Sequence, residues 1–302
     1  MILIIYGPTA SGKTSLAAEI ARRFGSYVIS ADSMQVYRGM DVGTAKPGAT
    51  DLKLCRHFLL DRCNLAERFS AGDFVHECLA ILAENNTSLP VVAGGTGLYL
   101  YSLINGIHDF PPIPERLKLM VSEMTMTELS TELLKADPVT SARISAHDRK
   151  RQERALSIIL HTGRKYSSWI HSDEKTVLRQ KYLMINLTIP RDELYNKIKF
   201  RVESMFSNGW VEEVRNLLEH YPEDSYGFRQ AIGYREICRH LRGLIDLKQL
   251  KDLIKQKTCA YAKRQLTWFN KFPHGVLTDN RQPGETLKKV ESLCREFQSG
   301  KI

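Results

Sequence analysis

Residues 7–15 read GPTASGKTS, and they lie between the apolar run MILIIY and the helix-like segment SLAAEIARRF. The spacing Gly7-x-x-x-x-Gly12-Lys13-Thr14 is that of a Walker A phosphate loop, which requires a strand before it and a helix after it. The glycines let backbone N–H groups point inward, and the helix N-terminus adds its positive dipole end. We therefore predict phosphate binding, with Lys13 as a point charge between phosphates and Thr14 as a Mg²⁺ ligand.

Strands and helices alternate through the first third of the chain. SYVISA (26–31) and PVVAGG (90–95) have the composition of buried strands, and GLYLYSLING (97–106) returns to helical spacing. Residues 70–85 predict another helix, with Ser70 as its N-cap and Asp73 three residues later. This rhythm predicts an α/β fold: a P-loop-type parallel sheet core flanked by helices.

Three prolines in FPPIPE (110–115) mark a boundary, beyond which residues 115–145 are typical of short polar helices. We therefore predict a P-loop core at 1–110, a small all-helical insertion at 111–145, and the remainder of the core with a helical, basic C-terminal part at 146–302. Within the last segment we expect a helix starting in HDRKRQERALSIIL (147–160) and a strand at KYLMINLTI (181–189). Further helices are expected at about 191–220, 227–242 and 246–272.

Composition and charge narrow the class of protein. The 302 residues are 43% hydrophobic and 25% charged, and no apolar run reaches the roughly 18–20 residues that span a bilayer. Six scattered cysteines without a CxxC pair argue against a zinc site or a disulfide scaffold and favour the cytoplasm. Residues 1–110 hold nine Lys/Arg and ten Asp/Glu, whereas residues 111–302 hold 34 and 24. The basic part suggests a polyanionic partner, although a solvated Lys-rich surface is an equal alternative.

The first polar residues after two of the predicted strands indicate a common crevice. Phosphoryl-transfer enzymes usually end a hydrophobic strand with a Mg²⁺-binding Asp, but PVVAGG is followed by Thr96. Asp32 instead follows the strand that contains VISA. Because ligands gather at the carboxyl ends of parallel strands, Asp32, Thr96 and the phosphate loop are predicted to meet. Asp32 could bind metal, take a proton from a nucleophile, or only cap a helix.

Several further motifs follow in order: ISADSMQVYRGMDVGTAKP (29–47), VAGGTGLYL (92–100), DPVTSARI (137–144), HDRKRQERAL (147–156), RQAIGYRE (229–236) and YAKRQLTWF (261–269). Together with GPTASGKT, this set resembles the bacterial tRNA dimethylallyltransferases over nearly the whole chain. The resemblance implies transfer of a dimethylallyl group from dimethylallyl diphosphate to the exocyclic N6 of the adenosine 3′-adjacent to the anticodon in tRNA. It also implies Mg²⁺ as cofactor and the tRNA anticodon stem-loop as partner. Separately, we expect a monomeric chain and, because no apolar run is long enough to span a bilayer, no membrane association.

The resemblance assigns roles residue by residue. Asp32 would accept a proton from N6, Thr96 would lie near the substrates, and Lys13 would stabilise the departing diphosphate. The expected diphosphate-binding residues are Gly7, Pro8, Thr9, Ala10, Ser11, Gly12, Lys13, Thr14 and Arg201. The expected tRNA-binding residues are Asp32, Ser33, Met34, Gln35, Thr96, Lys150, Arg151, Gln152, Glu153, Arg154, Gly233, Tyr234, Arg235, Lys263, Arg264 and Gln265.

Other interpretations stay open from sequence alone. The basic helix at 149–154 could be a lid that closes over ATP in a small-molecule kinase, or a solvated helix face. The chain could also bind RNA without catalysis. Arg201 could be a surface arginine in a salt bridge. In KQKTCAYAKRQLTWFNKF (255–272), Tyr261, Leu266 and Phe269 are favoured as core residues of an amphipathic helix.

Overall fold

The computed structural model describes residues 1–108, 110–170, 176–272 and 274–301. The chain forms six strands and a series of helices within these residues. The first part contains β1 (Ile2–Tyr6), α1 (Lys13–Arg23), β2 (Val28–Ser30), α2 (Ala49–Leu54), β3 (His57–Phe58), α3 (Ala71–Glu84), β4 (Val91–Gly94) and α4 (Gly97–Asn105). The middle contains α5 (Glu115–Glu123), α6 (Met126–Ala136), α7 (Pro138–Arg143), α8 (Arg149–Thr162) and α9 (Tyr166–Ile170).

The last part contains β5 (Tyr182–Thr188), α10 (Arg191–Ser207), α11 (Trp210–Leu218), α12 (Tyr226–Gln230), α13 (Tyr234–Leu241), α14 (Leu247–Phe269), β6 (Val276–Asp279) and α15 (Pro283–Gln298). The predicted helix at 191–220 is two helices, because Gly209 adopts φ +88° between α10 and α11. The capping box predicted at Ser70 and Asp73 is confirmed at the start of α3.

All six strands are parallel and lie in the order β3-β2-β4-β1-β5-β6, which confirms the predicted α/β sheet. Leu3 of β1 pairs with Val91 on one side and with Leu183 on the other. Every residue of β1 is buried, as expected for a central strand covered on both faces. The sheet brings the ends of β1, β4 and β2 next to one another.

Two short strands, β3 and β6, and three helices, α2, α9 and α15, had no sequence prediction. β3 has two residues and β6 has four, too few for a clear pattern, and Leu277 of β6 is exposed. The helix α15 packs Val290 and Cys294 into the core that α1 and the sheet share. The sheet is therefore wider at both edges than the sequence indicated.

The chain divides into two compact units, one of residues Met1–Asn105 and Leu178–Ile302 and the other of Gly106–Val177. The second unit is longer than the predicted insertion at 111–145, because it includes the basic helix α8. Leu156 of α8 packs with Val121 of α5 and Leu129 of α6, so these three helices share one small core. The apolar side of α8 is thus part of the core of the second unit, together with α5 and α6.

Candidate active site

A cavity of about 350 Å³ lies in the first unit, at the carboxyl ends of β1, β2 and β4. The phosphate loop and α1 form one wall, and residues of α10 and α14 form another. The loop after β2 and the segment around Gly43 complete the lining. Many of the predicted residues come together here, namely Thr9, Lys13, Thr14, Asp32, Ser33, Met34, Gln35, Arg201, Arg264 and Gln265.

The phosphate loop has the strained backbone of an anion-binding turn. Ala10 has φ +62° and Gly12 has φ +85°, both in the left-handed region. The buried side chain of Asn280, which follows β6, donates from Nδ2 to the Ser11 carbonyl oxygen at 2.7 Å. A Cβ atom on Gly12 would lie 2.6 Å from that same nitrogen. Asn280 thus braces the loop from below, and no motif in the sequence signals this role.

The ammonium group of Lys13 is positioned to interact with an anionic ligand. Its Nζ donates to the Pro8 carbonyl oxygen at 2.6 Å and lies 3.5 Å from Ser11 Oγ. Burial, together with the neighbouring Arg201 guanidinium, lowers the pKa of Lys13 from 10.5 to about 7, although Asp32 opposes this effect. A bound phosphate would oppose this shift, because its negative charge favours the ammonium form of Lys13. The loop is therefore prepared for a negatively charged group.

Arg201 lies on α10 and lines the same cavity, so it is not a surface arginine. Burial lowers its pKa, and the Asp32 carboxylate partly offsets the shift. Two cations and one carboxylate therefore influence one another in this cavity. Since a buried cation is costly without a partner, this arrangement favours a multiply charged anion as the ligand.

Asp32 lines the cavity, whereas Thr96 is not among the lining residues and instead contacts the loop that carries Asp32. Asp32 Oδ1 accepts a hydrogen bond from the Met34 backbone N–H at 2.9 Å, which turns the chain directly after β2. Thr96 Oγ1 accepts from the Ser33 N–H at 3.0 Å and lies 3.3 Å from Ser33 Oγ. The loops after β2 and β4 are therefore joined, as the sequence predicted. Asp32 also remains part of the cavity lining.

Gln265 joins the phosphate loop to the glycine-rich turn after β4. Its Oε1 accepts from the Thr9 N–H at 2.8 Å, and its Nε2 donates to the Gly95 carbonyl oxygen at 2.9 Å. The residue is buried within α14. Its amide thus fixes the distance between the two walls of the cavity.

Tyr261 lies one helical turn before Gln265 and also lines the cavity. Burial raises its pKa, as does the nearby Asp32 carboxylate, so its hydroxyl stays protonated at neutral pH. Phe269 of the same helix is a buried core residue, as predicted, whereas Tyr261 belongs to the site. Its spacing from Arg264 and Gln265 on a helix was the only available signal.

The remaining residues predicted on α13 and α14 divide between the interior and the surface. Gly233 and Tyr234 are buried, and Tyr234 donates its hydroxyl hydrogen to Glu213 Oε1 at 2.7 Å. Arg235, Lys263 and Arg264 are exposed. The Arg264 guanidinium carbon lies 5.8 Å from the centre of the Tyr261 ring. The exposed cations are the residues of this group that a polyanion could reach.

In the second unit, the residues predicted on α8 have different surroundings. Lys150 and Arg151 are exposed, whereas Gln152 is buried, accepts from Ser130 Oγ and donates to the Ser145 carbonyl oxygen. Glu153 forms an ion pair with Arg149, at 2.6 Å. Arg154 lies over the Phe110 ring, 5.6 Å from its centre.

The metal prediction rests on Thr14 alone. Within the described residues no cluster of three or more His, Cys, Asp or Glu side chains could hold a metal ion by itself. Mg²⁺ commonly keeps several waters and binds through one or two protein ligands plus substrate phosphates. The Thr14 hydroxyl in the cavity fits such an ion. As for membranes, none of the described helices combines the length and the hydrophobicity needed to cross a bilayer.

Comparison with known proteins gives consistent results. A sequence model described as IPP transferase matches residues 35–272. The chain is 40% identical over 272 residues to tRNA dimethylallyltransferase 1 of Citrifermentans bemidjiense, and the match covers 89% of each protein. The full-length tRNA isopentenylpyrophosphate transferase of Bacillus halodurans is 33% identical, with a TM-score of 0.71 over 99% of this chain and 97% of that one. A eukaryotic dimethylallyltransferase acting on tRNA shares the fold, with a TM-score of 0.85 at 23% identity over 99% of this chain and 79% of that one.

Proposed function

The chain belongs to the IPP transferase family, and we propose that it transfers a dimethylallyl group from dimethylallyl diphosphate to tRNA. The acceptor is the exocyclic N6 of the adenosine 3′-adjacent to the anticodon, and diphosphate is released. The names of its relatives support the enzyme class and the tRNA substrate. We further propose that it acts in the cytoplasm as a monomer, with the anticodon stem-loop of tRNA as its macromolecular partner.

One observation carries this proposal: two partly buried cations that influence each other, Lys13 and Arg201, line a cavity that also holds the Asp32 carboxylate. An allylic C–O bond ionises when negative charge on the departing diphosphate is stabilised. Lys13, Arg201 and the backbone N–H groups of the phosphate loop supply that stabilisation, since a preorganised site spends no energy on reorienting solvent. Mg²⁺ held by Thr14 would add further neutralisation of the diphosphate.

Asp32 is proposed as the general base. The lone pair of an adenine N6 amine is delocalised into the ring, so the amine is a weak nucleophile until a proton begins to leave. The Asp32 carboxylate lines the cavity and influences both cations of the diphosphate end. It can therefore accept a hydrogen bond from N6 and remove a proton as the C–N bond forms. Thr96 and Ser33 hold the backbone on which Asp32 sits.

The tRNA contacts are proposed on the exposed cations of both units. Arg235, Lys263 and Arg264 of the first unit and Lys150 and Arg151 of the second are exposed and positively charged. Such residues neutralise RNA phosphates. The target adenosine must leave its stack to enter the cavity, which costs a few kcal/mol and is easiest for an unpaired loop nucleotide.

The alternative of an ATP-dependent small-molecule kinase has less support. The strand that would carry a Mg²⁺-binding Asp ends in Gly94, and its loop continues with Gly95 and Thr96. The basic helix proposed as an ATP lid packs its apolar side into the core of its own unit. In addition, a relative that is 40% identical over 89% of the chain is named a tRNA dimethylallyltransferase and not a kinase.

The direct test incubates the protein with unmodified tRNA, Mg²⁺ and labelled dimethylallyl diphosphate, followed by digestion and identification of the modified nucleoside. We expect label on one adenosine next to the anticodon. A parallel reaction with labelled ATP and no diphosphate donor serves as the control. Consumption of ATP as the donor, or anticodon loops without an attached isoprenoid, would overturn the proposal.

A further inference from the structure

The carboxylate of Glu213 occupies a nest of hydrogen-bond donors on the loop that borders the cavity. Glu213 Oε2 accepts from the backbone N–H groups of Asp41 and Val42, at 2.8 and 2.6 Å. Its Oε1 accepts from the Gly43 N–H at 3.2 Å and from the Tyr234 hydroxyl at 2.7 Å. Hydrogen bonds to an ionised acceptor are about twice as strong as neutral ones. One side chain of α11 thus fixes three consecutive peptide groups.

Close packing confirms that this contact is built into the loop. A Cβ atom on Gly43 would lie 2.0 Å from Trp210 Nε1 and 2.6 Å from the Tyr234 hydroxyl oxygen. Only glycine therefore lets the loop approach α11 and α13 this closely. Gly43, Thr44 and Trp210 all line the cavity. The nest is consequently the outer support of the cavity wall.

The other end of the loop is fixed as well. The Lys46 ammonium group donates to the Tyr37 carbonyl oxygen at 2.6 Å, to Asp41 at 2.6 Å and to Asp61 at 2.5 Å. Between the two anchors, Ala45 has φ +47°, a conformation that costs energy for a residue with a side chain. The strained segment is held from both sides.

This loop orients Gln35. Gln35 Nε2 lies 3.4 Å from the Thr44 carbonyl oxygen and 3.2 Å from that of Ala45, and Ser30 Oγ donates to its Oε1 at 3.0 Å. Gln35 is buried and lines the cavity three residues after Asp32. Glu213 thus holds the loop whose carbonyl oxygens, at Thr44 and Ala45, orient Gln35. Gln35 lies near Asp32, at the end of the cavity proposed to bind the acceptor adenosine.

We propose that Glu213 is a positioning residue for the acceptor nucleoside: it holds residues 41–45 so that Gln35 and the cavity wall receive the purine. This inference rests on the proposed function. Glu213 itself does not contact substrate in this proposal. Its effect is limited to the acceptor end of the cavity and does not extend to the diphosphate end. Loss of the nest should impair use of tRNA and leave the diphosphate end, with Lys13 and Arg201, intact.

The test compares Glu213→Gln with Glu212→Gln, the same chemical change one residue earlier on α11. Glu212 is exposed and pairs only with Arg215 one turn later, at 3.2 Å, among the contacts of the described residues. We expect Glu213→Gln to lower kcat/KM for tRNA about 10- to 100-fold, as for lost hydrogen bonds to a charged group. The Kd for dimethylallyl diphosphate, measured by calorimetry, should change less than about twofold. Glu212→Gln should match the wild type in both measurements.

Hydrogen exchange supplies a readout that does not depend on activity. A peptide covering residues 40–46 should exchange faster in Glu213→Gln than in the wild type and Glu212→Gln, while peptides of β1 and α1 should be unchanged. Tyr234→Phe removes one of the four donors, so it should lower kcat/KM for tRNA in the same direction by a smaller factor, about 3- to 10-fold.

The outcomes separate this inference from the proposed function. If the wild-type protein modifies no tRNA, the proposed function is contradicted. The hydrogen-exchange comparison then still tests whether Glu213 holds residues 41–45. An active wild type with an equally active Glu213→Gln overturns the positioning role. So does a variant that loses donor affinity and tRNA turnover to the same extent, or one that fails to fold while Tyr234→Phe is unaffected, because each of these results assigns Glu213 to general stability.

Discussion

Binding of the diphosphate should draw protons from solution, because the free protein holds Lys13 with its pKa lowered to about 7. At pH 8 about nine tenths of the Lys13 side chains are then neutral, and a bound diphosphate restores the ammonium form. We expect uptake of about 0.9 proton per binding event at pH 8 and about 0.5 at pH 7. Above pH 7 the affinity should fall by up to about tenfold per pH unit, which is about 1.4 kcal/mol.

The assay is isothermal titration calorimetry with dimethylallyl diphosphate at pH 8 in two buffers of different ionisation enthalpy. At this pH the diphosphate is almost fully ionised, since its last pKa is near that of other phosphate esters, about 6, and so it contributes little to the proton count. Lys13→Met is the matched variant, and its uptake should be close to zero. Equal uptake by both proteins would refute the reasoning, because the proton would then bind elsewhere.

The same shift has a consequence for folding. The pKa of Lys13 is lower in the folded state than the ordinary value of 10.5, so the unfolded chain binds more protons between pH 7 and 10.5. The free energy of unfolding should therefore gain a contribution that rises with pH in this window, by up to about 1.4 kcal/mol per unit. Below pH 7 the full cost of the buried cation is present. Urea unfolding at pH 7 and 9 should show a smaller pH dependence for Lys13→Met than for the wild type.

Three other substitutions test the site. Asp32→Ala should lower turnover a hundredfold or more while tRNA still binds in a filter assay, and near-wild-type turnover would show that the proton leaves by another route. Asn280→Ala removes the buried hydrogen bond to the Ser11 carbonyl oxygen, so we expect a loss of about 1–3 kcal/mol in the free energy of unfolding and weaker diphosphate binding by calorimetry. A variant with unchanged diphosphate affinity would contradict this bracing role. Gln265→Glu places an oxygen against the Gly95 carbonyl oxygen, so thermal melting should show a lower Tm of the free protein. An unchanged Tm would show that the Gln265 amide does not hold the two walls of the cavity together.

The sequence predicted the strand, loop and helix around Lys13 well because the signals of this segment are local. A strand, a glycine-rich loop and a helix lie within 23 residues, and the loop spacing specifies where Lys13 and Thr14 must point. Asp32 and Thr96 were predicted to meet because parallel strands end at one edge of the sheet. The structure joins the two loops through the hydrogen bond from the Ser33 N–H to Thr96 Oγ1, but of the two residues only Asp32 lines the cavity.

The supports of the site could not be predicted in the same way. Asn280 and Glu213 act on loops that lie 269 and 170–172 residues away in sequence, and neither residue belongs to a local motif. Tyr261 has the helical spacing of a core residue, and only the packing of α14 shows that it faces the cavity. The edge strand β6, which precedes Asn280, is too short to have a distinct pattern.

The brace from Asn280 to the phosphate loop makes the donor site a late product of synthesis. The loop leaves the ribosome first, but its stabilising amide follows 269 residues afterwards, on the order of 10–60 s later at ordinary elongation rates. A nascent or prematurely terminated chain therefore carries the loop without its support. Support of the phosphate loop is coupled in this way to synthesis of Asn280, so fragments that end before this residue should bind anions at the loop more weakly than the 302-residue chain does.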